Sequence, residues 1–190
     1  MKTKILNWKN EKALDSAKKV ILNGGILVYP TDTIYGLGVN ALNLKAINSL
    51  NFVKNRKGPI SVIIESKEKA SNWLKLPDHE IKSALKYLKA QTTIIFPVKK
   101  NIVENKILGP NDTLGIRFSK HPFCISLANY CSVPITTTSV NKTGEEPKTN
   151  VDEILNSFKN EIDLIIEDGT LINSASKIYK YEKGDLKNIR

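Results

Sequence analysis

The chain has 190 residues, of which 41% are hydrophobic and 25% are charged, an ordinary globular composition that excludes a disordered chain or a collagen-like repeat. No apolar run in the sequence approaches the roughly 18 residues of a membrane span. Lysine and arginine number 29 against 19 acidic residues, so the formal net charge is +10. Such a surface attracts RNA, nucleotides and phosphates, although lysine spread evenly by compositional bias would give the same charge.

Short strands and amphipathic helices alternate along the chain. In chain order the patterns predict helix 11–22, strand 26–29, helix 43–53, strand 60–64, helices 68–74 and 78–88, strands 92–98 and 114–118, helix 122–130, strand 134–139, helix 151–158, and strands 162–166 and 177–181. Asn150 is the expected cap of helix 151–158, with Glu153 in the capping-box position. The alternation predicts a single α/β domain over residues 1–190, with a twisted mixed β-sheet flanked by helices.

The cysteines and histidines are not arranged for catalysis. Cys124 and Cys131 are spaced for neither CxxC redox chemistry nor a tetrahedral metal site, so we expect buried, inert thiols and a reducing, cytoplasmic compartment. The N-terminus is too short and too polar for a signal peptide. His79 and His121 are predicted to be solvated or to cap a helix, and no metal site is predicted.

Three segments are unusual. Residues 29–38 leave a predicted strand and combine hydroxyls with Gly36 and Gly38, which is typical of a ligand site at a strand end, although a plain turn capped by Asp32 would also fit. Residues 54–59 place three cations before Gly-Pro, which suits an anion site, although cations that complement a helix C-terminus are the commoner explanation of such a segment. Residues 136–144 contain four consecutive hydroxyl residues followed by Asn and Gly, which can wrap a phosphate or a carboxylate.

Together these segments resemble the YrdC-type family of threonylcarbamoyl-AMP synthases. The family's pattern is Pro-Thr-[Asp/Glu]-Thr-x-Tyr-Gly-Leu, then Lys-x-Arg, then Ser-x-Asn. The matching residues here are Pro30–Leu37, Lys54 with Arg56, and Ser139 with Asn141. The resemblance covers about residues 24–190 and implies the short, single-domain form with a YrdC/RibB-like fold.

The resemblance implies a nucleotidyltransferase. L-threonine, bicarbonate or CO2, and ATP would give threonylcarbamoyl-adenylate and pyrophosphate, for N6-threonylcarbamoyladenosine modification of tRNA with other proteins of that modification. ATP would be a substrate, Mg²⁺ would be held by its phosphates, and contact with tRNA is a further expectation.

The resemblance also implies the site residues. The expected catalytic residues are Lys54, Arg56, Ser139 and Asn141. ATP would be bound by these four together with Thr113 and Arg190. Threonine would be bound by Thr31, Arg117, Thr137 and Ser176.

Two segments depart from the family's pattern. The family's Trp-Pro-Gly-Pro-[Leu/Val]-Thr keeps only its last residue, Thr93, and the loop Lys89–Thr93 is otherwise altered. The family's Pro-Ser-Thr becomes Ala175-Ser176-Lys177, so Lys177 is new. These departures would slow turnover or reshape the substrate pocket.

A non-catalytic RNA-binding module, using the same concave cationic face, is the alternative function. Such a module would need its cations but not Thr31, Ser139 and Asn141. All three are present, which favours the enzyme.

Overall fold

A mixed, ten-stranded β-sheet runs through the protein, whose computed structural model describes residues 3–190. The strands are β1 Lys4–Asn7, β2 Leu27–Tyr29, β3 Gly36–Gly38, β4 Ser61–Ile64, β5 Thr92–Pro97, β6 Thr113–Phe118, β7 Ile135–Ser139, β8 Leu164–Glu167, β9 Lys177–Glu182 and β10 Asp185–Asn188. Their spatial order is β1-β8-β2-β3-β7-β4-β6-β5-β9-β10. Met1 and Lys2, which the predicted domain includes, lie outside the described residues, and the domain boundary stays a prediction.

Helices cover both faces of the sheet. They are α1 Ala13–Leu22, α2 Leu44–Val53, α3 Lys67–Trp73, α4 Asp78–Ala84, α5 Pro122–Cys131 and α6 Val151–Phe158, with 3-10 turns at Leu85–Tyr87 and Asn105–Ile107. None of the helices in the described part of the chain is long and apolar enough to cross a membrane.

Successive side chains of each strand point to opposite faces of the sheet, so the core forms two layers. Leu27 and Tyr29 of β2 pack with α1 and α5, whereas Val28 between them packs with α2 and α6 on the other face. This is the two-residue period of a strand buried on both sides. The predicted α/β architecture with a mixed sheet and flanking helices is therefore confirmed.

Three strands were not predicted: β1, β3 and β10. The sequence of β3 is Gly-Leu-Gly, which has little intrinsic strand preference, yet its three residues are fully buried between β2 and β7. β1 and β10 are the short outer strands of the sheet and are largely exposed, so neither carries a strong hydrophobic pattern. Tertiary pairing, rather than local preference, forms all three.

The predicted caps are largely correct. Asn150 accepts a hydrogen bond from the Glu153 N–H at 3.0 Å, as expected, but the Glu153 carboxylate accepts from the Thr149 N–H at 2.8 Å instead of closing onto the cap residue. His121 caps α5 by accepting from the Phe123 N–H through Nδ1 at 3.1 Å. His79 has a side chain 81% exposed, which confirms the solvated role.

The two thiols are buried and free, as predicted. Burial raises the pKa of Cys124 to about 12 and that of Cys131 to about 11, so both thiols stay protonated and unreactive near neutral pH.

Candidate active site

A polar cavity of about 160 Å³ opens on the face of the sheet that α1 and α5 cover elsewhere. Ile63 and Ile135 pack with those helices. Ser61 and Thr137 lie two residues away from them on β4 and β7, hence on the same face, and these two residues pair across the strands. The cavity therefore begins where the helical cover ends. Its lining residues are Ile34, Tyr35, Gly36, Arg56, Ser61, Thr93, Arg117, Thr137, Thr138, Ser139, Ala175, Ser176, Ile178 and Arg190.

Arg117, near the end of β6, is the buried cation of this cavity. Its Nη2 donates to the hydroxyls of Thr31 and Thr33 at 3.0 and 2.7 Å and to Asp32 Oδ1 at 2.8 Å. Its Nε is buried and has no hydrogen-bond partner among residues 3–190. A buried guanidinium N–H left unpaired is costly unless a ligand accepts from it, and a carboxylate is the usual acceptor.

Asp32 holds the Arg117 side chain in place. Its carboxylate also accepts from the Ser119 hydroxyl and from the N–H groups of Gln91 and Lys120, at 3.0, 3.0 and 3.3 Å. Burial alone would raise the pKa of Asp32, but the hydrogen bond and charge of Arg117, together with the two N–H donors, outweigh burial and hold that pKa below its ordinary value. Asp32 is thus ionised and its oxygens face inward, so it is a support for Arg117.

Arg56 and Arg190 bring two further positive charges to the cavity wall. Arg56 donates to the Thr138 hydroxyl at 3.1 Å and to the Pro59 carbonyl, and Arg190 donates to the Ser176 carbonyl at 3.3 Å. Burial, and then the charge of Arg190, lowers the pKa of Arg56. Two arginines that repel one another, each bonded only to neutral groups within the described chain, form a positively charged wall, which is an arrangement that favours an anion.

Lys54, the residue that ends α2, is 2% exposed and lies behind the wall. Its ammonium donates to the carbonyls of Ser139 and Asn141 at 2.5 and 2.6 Å and approaches Asn141 Oδ1 at 3.4 Å. Burial, with a smaller contribution from Arg56, lowers its pKa to about 8. Lys54 therefore ties the end of β7 and the loop beyond it to α2.

Ser139 and Asn141 form one unit with Lys54. The Ser139 hydroxyl donates to Asn141 Oδ1 at 2.5 Å, and the Asn141 amide donates to the carbonyls of Lys142 and Glu145 at 2.9 and 2.8 Å. The turn after β7 is thus fixed by its own side chains, with Ser139 on the cavity wall.

A hydroxyl pair closes the side of the cavity formed by β5 and the segment before β9. Thr93 Oγ1 and Ser176 Oγ lie 3.0 Å apart, and either can donate. Thr93 pairs with Arg117 across β5 and β6, so this pair stands beside the guanidinium. It can donate to and accept from a ligand hydroxyl.

Six of the ten predicted site residues line the cavity: Arg56, Arg117, Thr137, Ser139, Ser176 and Arg190. Three of the other four contact lining residues, whereas Thr113 does not line the cavity. Thr31 is behind Arg117, and Lys54 and Asn141 are behind Ser139. The Thr113 hydroxyl donates to the Pro110 carbonyl at 3.0 Å, at the opposite end of β6 from Arg117.

Sequence reasoning missed several residues of the wall. Thr93 is the residue that survives from the altered Trp-Pro-Gly-Pro-x-Thr segment, and that survival was a usable signal. Tyr35 and Gly36 lie inside the first motif without an assigned role. Ser61 carried no signal, because its place follows from register with Thr137.

Comparisons with known proteins find relatives over most of the chain. The sequence model of the Sua5/YciO/YrdC family, described as telomere recombination, matches residues 19–190. A putative threonylcarbamoyl-AMP synthase of Methanocaldococcus jannaschii is 34% identical over 96% of this chain and 86% of its own length. A threonylcarbamoyl-AMP synthase of Hydrogenovibrio crunogenus is 30% identical over 93% and 96%.

Solved structures show the same fold. A Sua5 variant of P. abyssi superposes with a TM-score of 0.89 at 26% identity, over 100% of this chain and 60% of its own. P. abyssi Sua5 complexed with L-threonine superposes with a TM-score of 0.83 at 25% identity, over 95% and 54%. The chain thus spans little more than half the length of those two structures.

Proposed function

The chain belongs to the Sua5/YciO/YrdC family, and from this premise we propose that it is a threonylcarbamoyl-AMP synthase. It forms L-threonylcarbamoyladenylate and pyrophosphate from L-threonine, bicarbonate or CO2, and ATP. One observation carries the proposal. A single cavity is lined by the buried Arg117, whose Nε has no hydrogen-bond partner, by the mutually repelling Arg56 and Arg190, and by several hydroxyl groups.

The size of the cavity suits an amino acid. At about 30 Å³ per water, 160 Å³ holds roughly five waters, which is enough for threonine and too little for a whole nucleoside triphosphate. ATP would therefore bind across the opening, with its phosphates at the arginine wall. This arrangement would bring the threonine nitrogen and the α-phosphate together, so catalysis is mainly positioning.

The hydrogen-bonding groups that line the cavity match the groups of threonine. The substrate carboxylate would bond to the Arg117 guanidinium where it lines the cavity, and its hydroxyl would bond to the pair Thr93 and Ser176, with Thr137 alongside. P. abyssi Sua5 has been solved complexed with L-threonine, which supports an amino-acid site in this fold. Thr31 would contribute indirectly, because its hydroxyl already bonds to Arg117.

Phosphate recognition would fall to Arg56, Arg190 and the turn after β7. Charge develops on pyrophosphate as it leaves, and fixed cations at that position stabilise the transition state. Lys54 and Asn141 would hold Ser139 in place, and Thr113 would reach the nucleotide at the other end of β6.

Mg²⁺ would be bound chiefly by the phosphates. The described residues contain no cluster of three metal-ligating side chains, and the lining of the cavity offers hydroxyls and arginines but no carboxylate side chain. That donor set suits an ion that enters with ATP and keeps several waters. When bound, Mg²⁺ would neutralise charge on the triphosphate.

The product would pass to other tRNA threonylcarbamoylation proteins in the cytoplasm. The RNA-binding alternative does not explain why a buried arginine lines an amino-acid-sized cavity together with several hydroxyls. The polar interior favours the enzyme.

Pyrophosphate release tests the proposal. With Mg-ATP, the purified protein should release pyrophosphate only when threonine and bicarbonate are both present, and serine should be a weaker substrate. Mass spectrometry should detect threonylcarbamoyladenylate. Arg117→Ala should abolish threonine-dependent pyrophosphate release, with Arg117→Lys as a matched variant that keeps the charge and loses the planar guanidinium. Absence of threonine-dependent pyrophosphate at any pH or magnesium concentration would refute the proposal.

A further inference from the structure

The segment between β8 and β9 borders the cavity, although it contains no helix or strand. It spans residues 168–176, and we call residues 169–175 the strap. Ala175, the last residue of the strap, lines the cavity beside Ser176. Because regular backbone pairing does not fix this segment, its course depends on bonds to other parts of the chain.

The phenol of Tyr35 bonds to the backbone at the beginning of the strap. It accepts from the Asp168 N–H at 2.8 Å and donates to the Gly169 carbonyl at 2.7 Å. The ring is fully buried and lines the cavity. Burial raises the pKa of Tyr35, so the phenol keeps its proton near neutral pH. Since the Gly169 carbonyl accepts that proton, Tyr35 acts on a ligand through the strap and not as a donor.

A second set of bonds fixes the Asp168 carboxylate. It accepts from Trp8 Nε1 at 2.6 Å and lies 3.1 Å from His121 Nε2. His121 Nδ1 already accepts from the Phe123 N–H, so the proton of the neutral ring lies on Nε2 and is donated to Asp168. The rings of Trp8 and His121 also meet edge to face, with centroids 5.3 Å apart. The turn after β1 and the start of α5 therefore both hold Asp168.

The turn into the strap depends on Gly169. This residue adopts φ 65°, a left-handed conformation that side chains other than glycine rarely adopt. A Cβ at Gly169 would meet no atom within 4 Å beyond its chain neighbours, so the angle and not the space requires glycine. The two bonds of Tyr35 flank this turn and set the direction in which the strap leaves β8.

Few bonds hold the rest of the strap. The Leu171 N–H donates to the Thr149 carbonyl at 2.8 Å. Residues 172–175 are exposed and make no hydrogen bond within the described chain. The next bond is at Ser176, whose hydroxyl lies 3.0 Å from Thr93 Oγ1. The course of the exposed part therefore follows from the bonds at its two ends.

We propose that Tyr35 is a positioning residue for the amino-acid substrate: its bonds to Asp168 and Gly169 hold the strap so that Ala175 and Ser176 meet the side chain of threonine. The inference rests on the proposed function and adds to it the group that sets this part of the cavity wall. It also gives a role to the tyrosine of the first motif, which makes no bond to the phosphate wall.

Steady-state pyrophosphate release by Tyr35→Phe tests the effect on the substrate. The variant keeps the ring and loses only the two bonds, so the KM for threonine should rise roughly tenfold while the KM for ATP changes by less than about twofold. The matched control is Tyr181→Phe. It removes another buried phenol, which donates to Glu80 at 3.1 Å and does not line the cavity, and it should change neither KM.

Hydrogen exchange measured by mass spectrometry reports on the strap without requiring turnover. In Tyr35→Phe, the amides of residues 168–171 should exchange about tenfold faster than in the wild type, while those of β8 keep their rates. Saturating threonine should slow exchange of the strap in the wild type and slow it less in the variant. Tyr181→Phe should exchange like the wild type throughout the strap.

Asp168→Asn tests the same anchor from the side chain. The substitution replaces one carboxylate oxygen by an N–H donor, so the residue can no longer accept from both Trp8 and His121. The KM for threonine should rise, as in Tyr35→Phe. Combining the two substitutions should raise it by less than the product of the single effects, because both loosen one segment.

The outcomes separate this proposal from the proposed function. An unchanged KM for threonine in Tyr35→Phe would overturn it, whether or not the strap exchanges faster. Equal increases in the KM for threonine and for ATP would also overturn it, since Tyr35 would then support the fold as a whole. If the protein releases no pyrophosphate, calorimetric titration with threonine replaces the KM. Weaker threonine binding by Tyr35→Phe than by Tyr181→Phe would then support the positioning role and leave the synthase refuted.

Discussion

Asp32 Oδ1 and Arg117 Nη2 lie 2.8 Å apart in an ion pair whose side chains are only 10% and 8% exposed. The pair uses one nitrogen of the guanidinium and leaves Nε unbonded in the buried interior. Asp32 thus sets the direction in which Arg117 offers its remaining donors.

Asp32→Asn should therefore impair threonine binding selectively. The substitution keeps the shape but removes the charge that orients Arg117, and we expect the KM for threonine to rise about tenfold while the KM for ATP changes by less than about twofold. Steady-state pyrophosphate release at varied threonine and varied ATP measures both. The control is Asp185→Asn on the exposed strand β10. Equal effects on both KM values would mean that Asp32 supports the fold and not Arg117.

The ion pair of Asp32 and Arg117 should also make the free energy of unfolding depend on pH in the acid range. The pKa of Asp32 is held below its unfolded value of about 3.9, so its ionised form stabilises the native state above that pH, and the contribution disappears as the pH falls through the lower folded pKa. Denaturant unfolding should show the wild type more stable than Asp32→Asn at neutral pH, with the difference shrinking below about pH 4. A difference that persists unchanged into strong acid would contradict this assignment.

Lys54→Met should cost both stability and turnover. The substitution keeps the apolar stem but leaves the buried carbonyls of Ser139 and Asn141 without a donor, which should lower the free energy of unfolding by about 2–4 kcal/mol. Pyrophosphate release should fall by more than the folded fraction explains, because Ser139 loses its fixed position. Thermal unfolding and initial rates measure the two effects, with Lys57→Met, at an exposed neighbour, as control. Wild-type stability in Lys54→Met would show that its ammonium bonds are unimportant.

Arg190→Gln should weaken ATP binding without harming the fold. Arg190 is the last residue, yet its backbone pairs with Ile178 of β9 at 2.8 Å, so the side chain is held near the cavity. Loss of this charge also relieves the repulsion on Arg56. We expect the KM for ATP to rise about tenfold with an unchanged or slightly higher Tm. An unchanged KM would remove Arg190 from the phosphate wall.

The two glycines of β3 should respond differently to alanine. A Cβ at Gly38 would lie 2.6 Å from the Thr136 carbonyl oxygen and 2.8 Å from the Tyr29 ring, whereas at Gly36 the nearest atoms are 3.1 Å away. Gly38→Ala should therefore destabilise the protein by about 2–3 kcal/mol. Gly36→Ala, on the cavity wall, should mainly reduce activity. Denaturant unfolding and pyrophosphate assays compare the pair, and equal stabilities would contradict the assignment.

The sequence predicted the scaffold better than the outer and glycine-rich strands. Segments with a dense apolar pattern, such as 60–64 and 151–158, were predicted within one residue of their observed bounds. β3 could not be predicted, because it forms a strand only through pairing: Gly36 pairs with Tyr29 and Ser139, and Gly38 pairs with Leu27. Local propensity contains no information about such partners.

The candidate site was predicted as a set of residues and not as an arrangement. Motif order identified Arg117, Arg56 and Ser139, which do line the cavity. It could not show that Lys54 faces backbone carbonyls, because a lysine close to an arginine in the sequence is equally compatible with binding phosphate. Nor could it reveal the position of Thr93 beside Ser176, which depends on the parallel register of β5 with β9.

The cavity walls come from six strands, β3, β4, β5, β6, β7 and β9, whose backbones are cross-linked by the sheet. The pairing of these strands limits how far this part of the wall can move, so the cavity favours amino acids near the size of threonine. Selection among amino acids would then depend on the size of the side chain. Altering that selection would require substitutions on these strands or in the segments beside them that also line the cavity, such as Ser176, whereas loops away from the cavity could vary without changing which amino acid fits.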